Sequence, residues 1–153
     1  MPPSIPAGDF PFLSVLIFAP LAAAAVALFI PSERLLRWWT LLVTTAVALI
    51  SLPLYTRFDA ASAAFQFVEH AAWIPRFKIN YTLGIDGIGL LLVLLTTIIS
   101  PLCVLCSWKY IKVRVKEFMI ALFIMEAAMV GVFSALDFVL FFIFWEAMLI
   151  PMA

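Results

Sequence analysis

The sequence predicts an all-α polytopic membrane protein: five transmembrane helices, the N-terminus outside, and a short outer-face hairpin between the second and third. Three observations lead there. Of its 153 residues, 67% are hydrophobic and only 12% charged, too apolar for a soluble domain of this size. Apolar runs of about 20 residues, the length that spans a bilayer, recur along the chain. The nine basic and nine acidic residues fall mostly between those runs. Their zero net charge gives no sign of a nucleic-acid partner.

The first run, 10–30, is closed by Pro31-Ser32. No Lys or Arg precedes it, so it reads as a retained span rather than a secretory signal. The second, 36–56, opens on Trp38 and Trp39, residues suited to a membrane interface. The third is 83–108, the fourth 117–135 and the fifth 136–153, and the whole chain reads as one membrane domain. Arg34, Arg37, Lys109, Lys112, Arg114 and Lys116 lie in the links on one side, against Arg57, Arg76 and Lys78 on the other. The positive-inside rule puts the larger group in the cytoplasm.

The long link from Arg57 to Thr82 has a pattern of its own. Polar and apolar residues alternate from Arg76 to Leu83, and less cleanly from Phe65 to Val68. Period two is strand-like, and Trp73-Ile74-Pro75 offers a turn. An irregular interfacial loop rich in aromatic residues is the other reading.

Pro20, Pro53 and Pro101 lie within or at the ends of spans. Each frees the carbonyl four residues earlier. For Pro101 that carbonyl is Thr97's, with Thr96 and Ser100 nearby, and the expected outcome is a packing kink. Cys103 and Cys106 form a C-x-x-C without a second pair. They read as small side chains on one helix face rather than half a metal site, and His70 as a loop residue.

The residue that lipid penalises most is Glu146, inside FVLFFIFWEAMLIPM. Counting from Leu136 it lies roughly 15 Å into the bilayer, near the midplane. A carboxylate there costs about 2.5–3.5 kcal/mol on insertion scales, which marks a functional site. Pro151 frees the Ala147 carbonyl beside it. Glu146 is thus a candidate for proton transfer, the alternative being a neutral acid that bonds helices together. Glu126 lies roughly 13 Å deep in the fourth span. A tight turn joins these two spans, so the two acids fall at similar depth, where they would face each other as a relay or serve only as interhelical glue. Asp86 suits a helix N-cap, and Gly84, Gly87 and Gly89 suit close helix approach.

Two blocks carry a resemblance. Trp73-Ile74-Pro75, Tyr81-Thr82-Leu83-Gly84-Ile85-Asp86-Gly87-Ile88 and the leucine-rich third span form one. Gly131-Val132-Phe133, Asp137 and Phe144-Trp145-Glu146-Ala147-Met148-Leu149-Ile150-Pro151-Met152 form the other. The chain resembles the subunit M family (subunit 4 in mitochondria) of NADH:quinone oxidoreductase, respiratory complex I. The blocks recur more loosely in sister antiporter-like subunits and in multisubunit cation/proton antiporters.

The resemblance implies a proton-translocating membrane-arm subunit in a bacterial cytoplasmic (inner) membrane or a mitochondrial inner membrane. Its partners would be the other membrane-arm subunits, sister antiporter-like subunits among them, and the lipid bilayer. NADH, FMN, iron–sulfur clusters and quinone would belong to partner subunits, with no cofactor in this chain. The glutamate matching Glu146 would be the acid of a Glu–Lys pair, its lysine on a later helix outside this sequence. Family members are far longer, so the chain reads as an N-terminal fragment. A multisubunit sodium/proton antiporter subunit and a non-conducting membrane scaffold are the competing readings.

Overall fold

The computed structural model describes residues 10–153. Residues 1–9, on which the outward N-terminus and the extent of the single domain partly rest, lie outside the described residues. The elements are α1 (Phe12–Ala27), α2 (Glu33–Arg57), β1 (Gln66–Ile74), β2 (Ile79–Ile85), α3 (Gly87–Tyr110), α4 (Val115–Ser134) and α5 (Phe138–Met152). This is a helical membrane protein. Among the described residues α2, α3 and α4 are long and apolar enough to cross a bilayer, while α1 and α5 are apolar but shorter.

α4 is the hub, packing on each of the other four helices. Its inward face supplies the contacts: Met119, Phe123, Ala127, Ala128 and Val130 are all buried. Gly131 lets α5 come closest. A Cβ at this position would overlap the Phe144 ring.

The hairpin forms with β1 and β2 antiparallel. Two details differ from the sequence expectation. The turn is Pro75–Phe77 with Lys78 in the left-handed region at φ 56°, whereas Trp73 and Ile74 still belong to β1. Leu83–Ile85, expected to open the third span, are the end of β2 instead. Their apolarity serves core packing, since Leu83 and Ile85 are buried, and the helix starts only after Asp86. The Asp86 carboxylate accepts from the Gly89 amide at 2.7 Å, replacing a lost intrahelical partner. Of the three glycines there, Gly89 lies close to the Phe133 carbonyl and Gly84 against Leu136, while Gly87 meets nothing.

The hairpin is fastened to the bundle at two points. On one side the Glu69 carboxylate takes the free amides at the α1 N-terminus, Leu13 at 2.9 Å and Ser14 at 3.2 Å. The Ser14 hydroxyl also bonds Glu69 and lies 2.8 Å from the Tyr81 hydroxyl. On the other side the Leu136 amide donates to the Thr82 carbonyl at 2.9 Å, so the α4–α5 link pairs with the edge of β2. Asp137 completes this joint. One carboxylate oxygen caps α5 through the Val139 and Leu140 amides at 2.9 and 3.3 Å, and the other accepts from the Asn80 amide at 3.3 Å.

Loss of an Asp cap costs about 0.5–2 kcal/mol, and here the hairpin bond goes with it. Asp137→Ala should therefore lower the thermal midpoint of the chain in lipid nanodiscs, with Asp137→Asn recovering most of the loss.

Basic side chains hold the opposite ends. Arg37 reaches the carbonyls of Trp108 and of Ile111, the latter at 2.6 Å, at the end of α3. Lys116 bonds the Leu28 carbonyl just beyond α1. Cations at helix C-termini and carboxylates at N-termini both complement the helix dipole.

Tyr81 provides a pH test of the α1 joint. Burial pushes its phenol above the ordinary 10.0; the Ser14 hydrogen bond opposes this and the Glu69 charge adds to it. The folded chain holds the proton longer than the unfolded one. Stability is thus unaffected below about pH 10 and falls as pH rises past it. Thermal midpoints should drop more steeply above pH 10 in the native chain than in Tyr81→Phe.

Candidate functional site

Among the described residues, Glu126 is the buried charged side chain of the bundle. It is 2% exposed, and neither carboxylate oxygen has a hydrogen-bond partner among the described residues. Its place follows from helix spacing. Met119, Phe123, Glu126 and Val130 recur every three or four residues and form one buried stripe on α4. Glu126 borders a cavity of about 160 Å³ between α3 and α4. From α3 come Leu92, Leu95, Thr96, Ile99, Ser100 and Cys103, and from α4 Leu122, Met125, Met129 and Phe133. Of its lining, Leu95 and Ile99 are exposed.

An unpaired carboxylate in such a place is costly, since a buried polar atom without a partner forfeits about 1–3 kcal/mol and a charge more. The nearby hydroxyls do not relieve it. Thr96 donates to the Leu92 carbonyl at 2.8 Å and Ser100 to the Thr96 carbonyl at 2.9 Å. Pro101 lies in the same stretch of α3 and withholds an amide from the Thr97 carbonyl. The Thr97 hydroxyl turns the other way, bonding Ser51 of α2 at 2.8 Å.

Glu146 sits elsewhere. It lies on the exposed face of α5, amid exposed Phe142, Ile143, Trp145, Leu149 and Ile150. No α5 residue lines the Glu126 cavity. The two acids share the α4–α5 pair but occupy different sides of it, so the structure does not place them across from each other in one pocket. Pro151 falls in the last turn of α5, leaving the Ala147 carbonyl without its helical donor.

The other sequence candidates are simply placed. Asp86 is an N-cap at the α3 entrance. His70 is on β1, 2.9 Å from the Thr82 hydroxyl. Cys103 lines the cavity and Cys106 is exposed, both as free thiols. The sequence reading missed the capping roles of Glu69, Asp137 and Arg37. An Asp directly before an apolar run was a readable cap signal for Asp137. Glu69 and Arg37 act across more than 50 residues of sequence and left no local sign.

Comparison with known proteins gives a consistent picture. The family model described as NADH-ubiquinone oxidoreductase chain 4, amino terminus, matches residues 13–133. NADH-quinone oxidoreductase subunit M of Rhodobacter capsulatus is 47% identical over 92% of this chain and 28% of its own. NADH-ubiquinone oxidoreductase chain 4 of Arabidopsis thaliana is 44% identical over 92% of this chain and 29% of its own. F(420)H(2) dehydrogenase subunit M of Methanosarcina mazei is 40% identical over 93% and 29%. The chain thus spans under a third of the length of these relatives. Among solved structures, a chain of the membrane-bound sulfane sulfur reductase, an archaeal respiratory membrane complex, has the same fold. The TM-score is 0.75 at 22% identity, over 92% of this chain and 22% of that one.

Proposed function

The chain belongs to the NADH-ubiquinone oxidoreductase chain 4 family, and from that premise we propose that it is the N-terminal part of a proton-translocating membrane-arm subunit. In this reading a bacterial cytoplasmic membrane or a mitochondrial inner membrane holds it. Sister antiporter-like and other membrane-arm subunits surround it. NADH, FMN, iron–sulfur clusters and quinone reside in partner subunits, and this chain's residues move protons.

The family match over residues 13–133 carries the proposal. The relatives named above support the redox-coupled form over a sodium/proton antiporter, since each is named as an oxidoreductase or dehydrogenase component. Five spans, an outer hairpin and six basic residues on the cytoplasmic side complete the topology. Both α1 and α5 then cross by using flanking apolar residues. For α1 these are Leu28–Ile30, which continue its backbone in tighter i→i−3 hydrogen bonds.

Glu146 is the proton-carrying acid of this reading. An acid on an exposed face of an otherwise apolar helix is costly in lipid, and that face suits contact with further helices of a longer subunit. A cation presented there would pair with the Glu146 carboxylate. In the assembled complex, Glu146→Ala should cut NADH-driven proton translocation at least tenfold at normal assembly. Undiminished pumping would overturn the proposal. Glu146→Gln separates the scaffold reading, in which native gels show defective assembly while pumping per assembled complex persists.

A further inference from the structure

The cavity beside Glu126 is poor in hydrogen-bond donors, the weak Cys103 thiol being the free one among the described residues. Glu126 brings two oxygens without partners among the described residues. The Thr96 and Ser100 hydroxyls donate to backbone carbonyls, leaving only lone pairs for the cavity they line. Water supplies what is missing, because it donates twice and still accepts. A volume of 160 Å³ has room for several molecules, at about 30 Å³ each in the liquid.

The small polar residues continue beyond the cavity. Thr96, Ser100, Cys103 and Ser107 are spaced four, three and four apart. At about 100° per residue they fall within roughly 60° of one another on a single face of α3. The first three line the cavity. Ser107 is buried in the last turn, donating to the Val104 carbonyl at 3.0 Å. That turn is pinned by Arg37 on the Trp108 and Ile111 carbonyls and leads into the basic link. From Cys103 to Ser107 the axial step is about 6 Å, a gap that one bridging water spans.

We propose that this stripe and cavity form a water-holding proton branch, entered at the basic-link end of α3 and ending on Glu126. The inference rests on the proton-carrying function above and gives Glu126 an entrance separate from the Glu146 face of α5. The step balances simply. A hydronium ion passes its proton to the Glu126 carboxylate, leaving water and a carboxylic acid, and onward release to a second water forms a hydronium ion and restores the carboxylate. The hydroxyls and the thiol orient the waters and undergo no net change. If the stripe only packs helices together, as small polar residues do in membranes, blocking it leaves proton movement intact.

Cys103 is the place to block it. In the assembled complex, Cys103→Ala removes only the weak thiol contact, keeps the path open and should lower pumping by less than twofold. Cys103→Phe fills the end of the cavity nearest Ser107 and should lower NADH-driven proton translocation at least threefold, as should Glu126→Gln. The double variant Cys103→Phe with Glu126→Gln should be no worse than Glu126→Gln alone, because both act on one branch. Full pumping in Cys103→Phe overturns the inference, as does an equal loss in Cys103→Ala.

Should Cys103→Phe fail to assemble, methyl methanethiosulfonate on a Cys106→Ser complex serves instead. Inhibition reversed by dithiothreitol, and absent when Cys103 is also Ala, is the expected result. Labelling without inhibition, or no labelling, overturns the branch. Normal pumping in Glu146→Ala sinks the parent reading, whereas normal pumping in Cys103→Phe beside a dead Glu146→Ala sinks the branch alone.

Discussion

Gly131→Ala should destabilise the α4–α5 pair by about 1–3 kcal/mol, the usual range for overpacking a tight interface. The added methyl would occupy the position of the Phe144 ring. Helix propensity pulls the other way, since Ala is favoured over Gly by about 1 kcal/mol. The overlap wins because it involves the body of an aromatic ring, which cannot swing aside as a flexible tip does. The ring must move or α5 must retreat, and Glu146 lies two residues further along that helix. A lower thermal midpoint in nanodiscs should accompany reduced proton translocation in the assembled complex. Phe144→Leu should rescue both, and the double-mutant cycle should show coupling well beyond additivity. A midpoint at or above the native one in Gly131→Ala would show that α5 yields without cost.

Glu126→Leu should do the opposite for stability and raise the midpoint. It removes two buried oxygens that have no partners among the described residues and puts a side chain of comparable size against Leu92, Leu122 and Met125. Removing a buried polar group that no described residue satisfies is worth about 1–3 kcal/mol; cavity waters offset only part of this, since holding each costs up to about 2 kcal/mol of entropy, and buried charges replaced by apolar residues of like volume often give gains of this order. Glu126→Gln leaves an unsatisfied amide behind and should gain less. Activity should fall in both, the trade-off expected where a site holds a costly group for a purpose. A lower midpoint in Glu126→Leu would mean that the carboxylate has a stabilising partner in the membrane.

The helices were legible because lipid imposes length and apolarity, and the runs from Phe10, Leu36 and Glu117 show both. The second strand was legible because Arg76 to Leu83 alternates. The first was harder to read: Ala71, Ala72, Trp73 and Ile74 break the alternation, and a bulge with Phe67 at φ 54° shifts the register between Gln66 and Glu69. Leu83–Ile85 misled because an apolar residue in a buried strand looks like one in a membrane helix. For the site, residue counting speaks to depth and not to direction. Residue counting places Glu126 and Glu146 at similar levels. In helices apolar on every side, however, no polar face marks which way a side chain points. That Glu126 turns to α3 while Glu146 faces outward from α5 emerges only once α4 is packed among its neighbours.

The pairing of β2 with the α4–α5 link bears on the order in which the chain is built. A strand edge left open is a template for unwanted pairing with other chains. β2 is complete, and joined to β1, some 50 residues before Ala135 and Leu136 are synthesised. Through that interval its free edge waits. When α4 has threaded through and the link arrives, the Leu136 amide, the Asp137 carboxylate and the β2 edge close together. The docking edge therefore acts as a gauge of insertion. A fourth helix threaded one turn too deep or too shallow, a displacement of about 5.4 Å, finds no partner on β2, leaves α5 uncapped and keeps the strand edge open.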